Sequence, residues 1–104
     1  MLETAGAVAV ITGGGSGIGE VFAKRWVRNG GKVVLADISL ESLNRVEKEI
    51  REMGGEVAVK VCDVTKEEDN HALALLAVER FGAINLVVPC AGIFRDALML
   101  SIDR

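Results

Sequence analysis

The 104-residue chain contains no tyrosine, a single histidine, a single proline and two cysteines. Each scarcity excludes something. Without tyrosine, no phenol can serve as a proton donor. His71 has no partners at metal-ligand spacing, so a metal centre is not expected and a place on a helix surface is its plain reading. Cys62 and Cys90 are too few for a disulfide framework and fit a reducing cytoplasm. Twelve glycines against one proline, with no three-residue period, exclude collagen. Charged residues at 26% and hydrophobic residues at 50% instead describe one folded domain. The net charge of -3 is spread in small mixed clusters. No basic block marks a nucleic-acid face, and no apolar run is long enough to span a bilayer. The opening Met1-Leu2-Glu3-Thr4 has no basic region, so a secretory signal is not expected.

What is present is a regular alternation of apolar patterns. Ala7 to Ile11 is an unbroken apolar run, as expected for a strand covered on both faces. Ile18, Val21, Phe22, Trp26 and Val27 then recur at helical spacing, with Gly30-Gly31 as a stop. Trp26 is expected to anchor this helix against the sheet. Val33 to Ala36 reads as a second buried strand, ending at Asp37. Ser39 is a candidate N-cap for a helix with apolar residues at Leu40, Leu43, Val46, Ile50 and Met53. Glu56 to Val61 alternates more strongly, which predicts a strand nearer the sheet edge. Thr65 and Glu68 match a capping box for a third helix over 66–81, closed by Gly82. Ile84 to Val88 is a fourth strand, ended by Pro89, which has no amide to donate. Strand and helix in strict alternation, with short connections, predict an α/β fold built on a parallel sheet with right-handed crossovers.

Between the first strand and the first helix lies Thr12-Gly13-Gly14-Gly15-Ser16-Gly17-Ile18-Gly19. Glycines in that position allow a tight turn and let main-chain amides approach a diphosphate, while the helix start adds unpaired N–H groups. A flexible turn is the bland alternative, weakened by the strand-turn-helix setting. Neither Gly-x-Gly-x-x-Gly nor the P-loop pattern fits in any register. Thr12, Gly13, Gly17 and Gly19 fit Thr-Gly-x-x-x-Gly-x-Gly, and in this the chain resembles the short-chain dehydrogenase/reductase family.

Other segments extend the resemblance. Asp37 closes the second strand 18 residues after Gly19, where a carboxylate can accept both ribose hydroxyls of adenosine and repel a 2′-phosphate. The basic residues of NADP-preferring relatives are replaced here by Ser16 and Ile38, which favours NAD. A capping or solvated turn carboxylate is the alternative for Asp37. Asp63 and Val64 are similar to the family's Asp-Val pair beside the adenine, with a turn aspartate as the plainer reading. Ile84 to Gly92 resembles the family's fourth-strand motif. Ala91 and Gly92 match it, whereas Asn85 replaces an aspartate, and Pro89 and Cys90 replace two asparagines. For Cys90 a packed thiol is favoured over a redox nucleophile.

The resemblance implies a Rossmann-type doubly wound parallel sheet, incomplete, comprising the first four strands and three helices. It implies an NAD-binding domain over 1–104, representing the N-terminal part of the family fold. Gly13, Gly15, Ser16, Gly17, Ile18 and Gly19 would hold the pyrophosphate, Asp37 and Ile38 would face the ribose, and Asp63 and Val64 the adenine. Cys90, Ala91 and Gly92 would approach the nicotinamide ribose. The implied reaction is hydride transfer between nicotinamide and an alcohol/carbonyl substrate. The family's catalytic tyrosine and lysine fall in the half not represented, so no residue here is expected to be catalytic, and the chain alone is expected to be inactive. Expected partners are a small-molecule substrate and either a homo-oligomer of the full-length protein or a complementing C-terminal chain. The alternative is a non-catalytic NAD-binding module.

Overall fold

A computed structural model describes residues 4–15 and 17–90. The order is β1 (Val8–Thr12), α1 (Gly17–Arg28), β2 (Lys32–Asp37), α2 (Leu40–Glu52), β3 (Val57–Val61), α3 (Glu67–Phe81) and β4 (Leu86–Pro89). The strands form one parallel sheet in the order β3-β2-β1-β4. The predicted α/β architecture is therefore observed, with the alternating β3 at one edge. Because all four strands run the same way, Thr12, Asp37, Val61 and Pro89 end together along one side of the sheet.

Period-two alternation assigns the two faces. Ala9 and Ile11 of β1, Val33 and Leu35 of β2 and Val57 of β3 pack with Ala23, Trp26 and Val27 of α1 and with Leu43, Val46 and Ile50 of α2. Val8, Val10, Val34, Ala36 and Ala58 face the other way, toward Leu73 and Ala77 of α3. Every residue of β1 is buried on this account, and that is why its sequence shows no alternation.

Trp26 anchors α1 as expected. Its indole N–H donates to the Ala7 carbonyl at 3.0 Å, and its ring stacks on Phe22 at 5.8 Å. Ser39 caps α2, its hydroxyl accepting from the Ser42 amide at 3.2 Å. Gly82 ends α3 in the left-handed conformation.

Four expectations are corrected. The apolar stripe of α1 is narrower than predicted, because Gly19, Ala23, Trp26 and Val27 turn inward while Ile18 and Val21 are exposed. On α2, Leu40 and Met53 are likewise exposed. The capping box does not form: the Thr65 amide that Glu68 would accept donates instead to Asp63 Oδ1 at 3.0 Å, and the Thr65 hydroxyl donates to the same oxygen at 2.6 Å. The helix then begins at Glu67 behind Lys66, without a side-chain cap. Finally, β4 starts at Leu86 because Asn85 bonds Val8 twice, its amide donating to the Val8 carbonyl and its Oδ1 accepting from the Val8 amide.

Candidate dinucleotide site

The glycine turn leaves β1 at Gly13 and enters α1 at Gly17, with positive φ of 71° and 58° at those two residues. A side chain would be strained at either. Gly14 donates to the Ala36 carbonyl at 3.0 Å, which fastens the turn to the end of β2. Gly19 is buried, and a Cβ there would overlap the Gly13 carbonyl. Helix start and strand end are thus in direct backbone contact. Helical geometry leaves the first N–H groups of the 12-residue α1 without intrahelical acceptors, at the positive end of its dipole. Ile18 is exposed beside them.

Asp37 meets this turn from the next strand. Its Oδ2 accepts from the Gly15 amide at 3.1 Å and its Oδ1 from the Ser39 amide at 3.2 Å. Its carbonyl accepts from the Cys62 amide. Two backbone donors fix the carboxylate's orientation, and each oxygen retains a further lone-pair direction. Ile38, next in the chain, is exposed and presents no positive charge.

Asp63 lies just beyond β3, following the buried Cys62. Its Oδ1 is turned to Thr65, whose hydroxyl and amide hold the carboxyl below its usual range. Its amide donates to Asp69 Oδ2 at 2.9 Å. The carbonyl of Val64 accepts from Asn70. The geometry is that of a turn aspartate at the same end of the sheet as Asp37.

Cys90 follows β4, and its amide donates to the Thr12 carbonyl at 2.9 Å. It is half-buried against the α1/α2 core, and burial raises its thiol pKa, which disfavours thiolate chemistry. Ser16, Ala91 and Gly92 lie outside the described residues. The other candidates, Gly13, Gly15, Gly17, Ile18, Gly19, Asp37, Ile38, Asp63, Val64 and Cys90, all lie at or just past the C-terminal ends of the four strands. In open α/β sheets, that is where ligands bind.

Sequence reasoning overlooked Arg45. This α2 residue donates through Nη2 to the Gly15 carbonyl at 3.2 Å and forks onto Glu20 of α1 at 2.7 and 3.0 Å. Lys24 joins the cluster, pairing with Glu20 at 2.7 Å and also with Glu49. The charge spacing Glu20/Lys24 and Arg45/Glu49, four apart on each helix, was the available signal.

Fold and turn together define an incomplete Rossmann-like α/β domain. The short chain dehydrogenase family profile matches residues 7–104, and the chain belongs to that family. It is 46% identical over 92 residues to an uncharacterized oxidoreductase of Mycobacterium bovis, covering 88% of this chain and 36% of the relative. A 7alpha-hydroxysteroid dehydrogenase of Escherichia coli is 37% identical over 91 residues, with the same two coverages. Among solved structures, a short chain dehydrogenase/reductase from Burkholderia phymatum in complex with NAD superposes with a TM-score of 0.82 at 42% identity. That match covers 84% of this chain and 31% of the other. The chain therefore spans about a third of the length of these relatives. Among the described residues, no helix is long and apolar enough to cross a membrane.

Proposed function

We propose that the chain is the NAD-binding N-terminal part of a short-chain oxidoreductase that moves a hydride between nicotinamide and an alcohol/carbonyl carbon. One observation carries this reading: the Asp37 carboxylate, held by two backbone amides, stands beside the glycine turn at the sheet's C-terminal side. The turn's backbone fits a diphosphate, because Gly13, Gly15, Gly17 and Gly19 leave no side chain between it and the ligand. A Cβ at Gly15 would press on Asp37 Oδ2 and Ser42.

In this reading the pyrophosphate is held by the turn of Gly13, Gly15, Ser16, Gly17, Ile18 and Gly19, with the free amides at the helix start donating to it and the Gly15 amide kept on Asp37 Oδ2 to shape the turn. Asp37 accepts the two ribose hydroxyls on its remaining lone pairs, and with Ile38 beside it no cation balances a 2′-phosphate. Asp63 and Val64 border the adenine. Cys90, Ala91 and Gly92 border the nicotinamide ribose, with Cys90 as packing rather than nucleophile. When bound, the nicotinamide supplies the carbon that exchanges hydride. The NAD in the Burkholderia structure and the dehydrogenase activity named for the Escherichia coli relative support this assignment. The tyrosine implied by the family resemblance is not among these 104 residues. The two free cysteines support a reducing cytoplasm as its compartment.

Fluorescence titration with NADH and NADPH tests the reading. NADH should bind tighter by about tenfold or more, since a like-charge contact costs several kcal/mol. Asp37→Asn should narrow the gap. Equal affinity for the two coenzymes, or a preference for NADPH, overturns the reading.

A further inference from the structure

Gly15 is held at both ends. Its amide donates to Asp37 Oδ2 and its carbonyl accepts from Arg45 Nη2, at 3.1 and 3.2 Å. The Arg45 guanidinium is itself oriented by a two-pronged pairing with Glu20, Nη2 to Oε1 and Nη1 to Oε2. That fork restricts a planar donor far more than a point charge would be restricted. Glu20 belongs to the first turn of α1, the helix that the glycine turn leads into. Lys24 and Glu49 complete the set from one turn further along α1 and α2. A single guanidinium therefore ties the turn, α1 and α2 together.

The chemical consequence follows from what a glycine can do. Without a Cβ, its flanking peptide planes rotate readily, and a carbonyl swung toward a bound anion would repel it. Arg45 gives the Gly15 carbonyl a cationic partner on the α2 side and opposes that rotation. Stability alone does not account for the bond to the Gly15 carbonyl, because Arg45 is about half exposed, with 48% of its side-chain surface accessible. Ion pairs in such settings contribute little to folding.

Resting on the dinucleotide reading above, we infer that Arg45, oriented by Glu20, is a positioning residue for diphosphate binding that keeps the glycine turn in its anion-accepting form. It touches the turn and not the ligand. Its effect should therefore appear on ligands that carry phosphates and be absent from those that lack them.

The test compares NADH, ADP and adenosine by isothermal titration with the wild type, Arg45→Met, Arg45→Lys and a control, Glu47→Gln. Glu47 pairs with Arg51 elsewhere on α2. Arg45→Met should weaken NADH and ADP about five- to tenfold, a size typical of residues that act through another group. Adenosine affinity should hardly move, and the urea midpoint should fall only by the part of the Glu20 pairing that Arg45 supplies. Arg45→Lys keeps the charge without the fork and should remain weak, while Glu47→Gln should match the wild type. Wild-type affinity for ADP in Arg45→Met overturns the inference, as does equal weakening of ADP and adenosine. Full recovery in Arg45→Lys also overturns it, since charge alone would then suffice. If the wild type binds neither NADH nor ADP, the dinucleotide reading itself falls and takes this inference with it; in the other failures that reading stands.

Discussion

Gly19, in the first turn of α1, lies so close to the Gly13 carbonyl that a methyl group at its Cα would overlap the oxygen. The contact locks the end of β1 to the beginning of α1. It directs the helix start over the side of the sheet where Asp37 also ends its strand. Strand direction, turn length and helix start are thus settled by one backbone contact that only glycine permits.

Gly19→Ala should lower stability by about 1–3 kcal/mol, the usual cost of overpacking, and should weaken NADH binding because the turn must shift to admit the methyl. Gly82→Ala supplies the comparison. Gly82 has φ +83° and open space around it, so alanine there should cost about 1–2 kcal/mol through backbone strain alone and leave NADH affinity unchanged. Urea unfolding and NADH titration on both variants separate the two effects. Unaltered coenzyme affinity in Gly19→Ala would show that the contact is structural only.

Trp26 tests the packing of α1. Its ring is buried and its N–H shares the Ala7 carbonyl with the Lys32 amide. Trp26→Phe should cost about 1 kcal/mol, mostly the lost hydrogen bond, because the Lys32 amide still satisfies that carbonyl. Trp26→Ala should cost about 3–5 kcal/mol through the cavity it leaves. Thermal and urea unfolding read both, and similar losses in the two variants would mean that packing contributes little beyond the hydrogen bond.

How far the sequence reveals the site depends on the range of the interaction involved. The apolar runs of β1 and β2, the cap at Ser39 and the stop at Gly82 are local signals and are found where expected. Thr65 was misread because Asp63, two residues back, takes the Thr65 amide that Glu68 would have accepted in a capping box, and the helix starts at Glu67 behind Lys66, one residue later than a Thr65 cap requires. Ile18 and Val21 were misread because helical spacing shows that apolar residues recur but not which arc meets the sheet. Arg45 was invisible for a further reason. Its bonds to Gly15 and Glu20 cross from α2 to the turn and to α1, and that pairing depends on the relative rotation of two helices, which neither helix's own pattern encodes.

The same cluster predicts a response to acid. Hydrogen bonds from Arg45 and then Lys24 pull the Glu20 carboxyl from its ordinary 4.5 down to about 2, and its place in the first turn of α1 adds a favourable dipole interaction. A carboxyl depressed on folding stabilises the native state above its unfolded pKa, and the benefit drains away as pH falls through the folded one. For Glu20 that window runs from 4.5 down to about 2. Glu49, facing Lys24 and Arg45, is also lowered and adds in the same direction. Urea midpoints at several pH values across the window should fall more steeply in the wild type than in Glu20→Gln. The two proteins should converge at the acid end, where the wild-type carboxyl is also neutral. Parallel curves throughout would mean that Glu20 is no better paired in the folded chain than in the unfolded one.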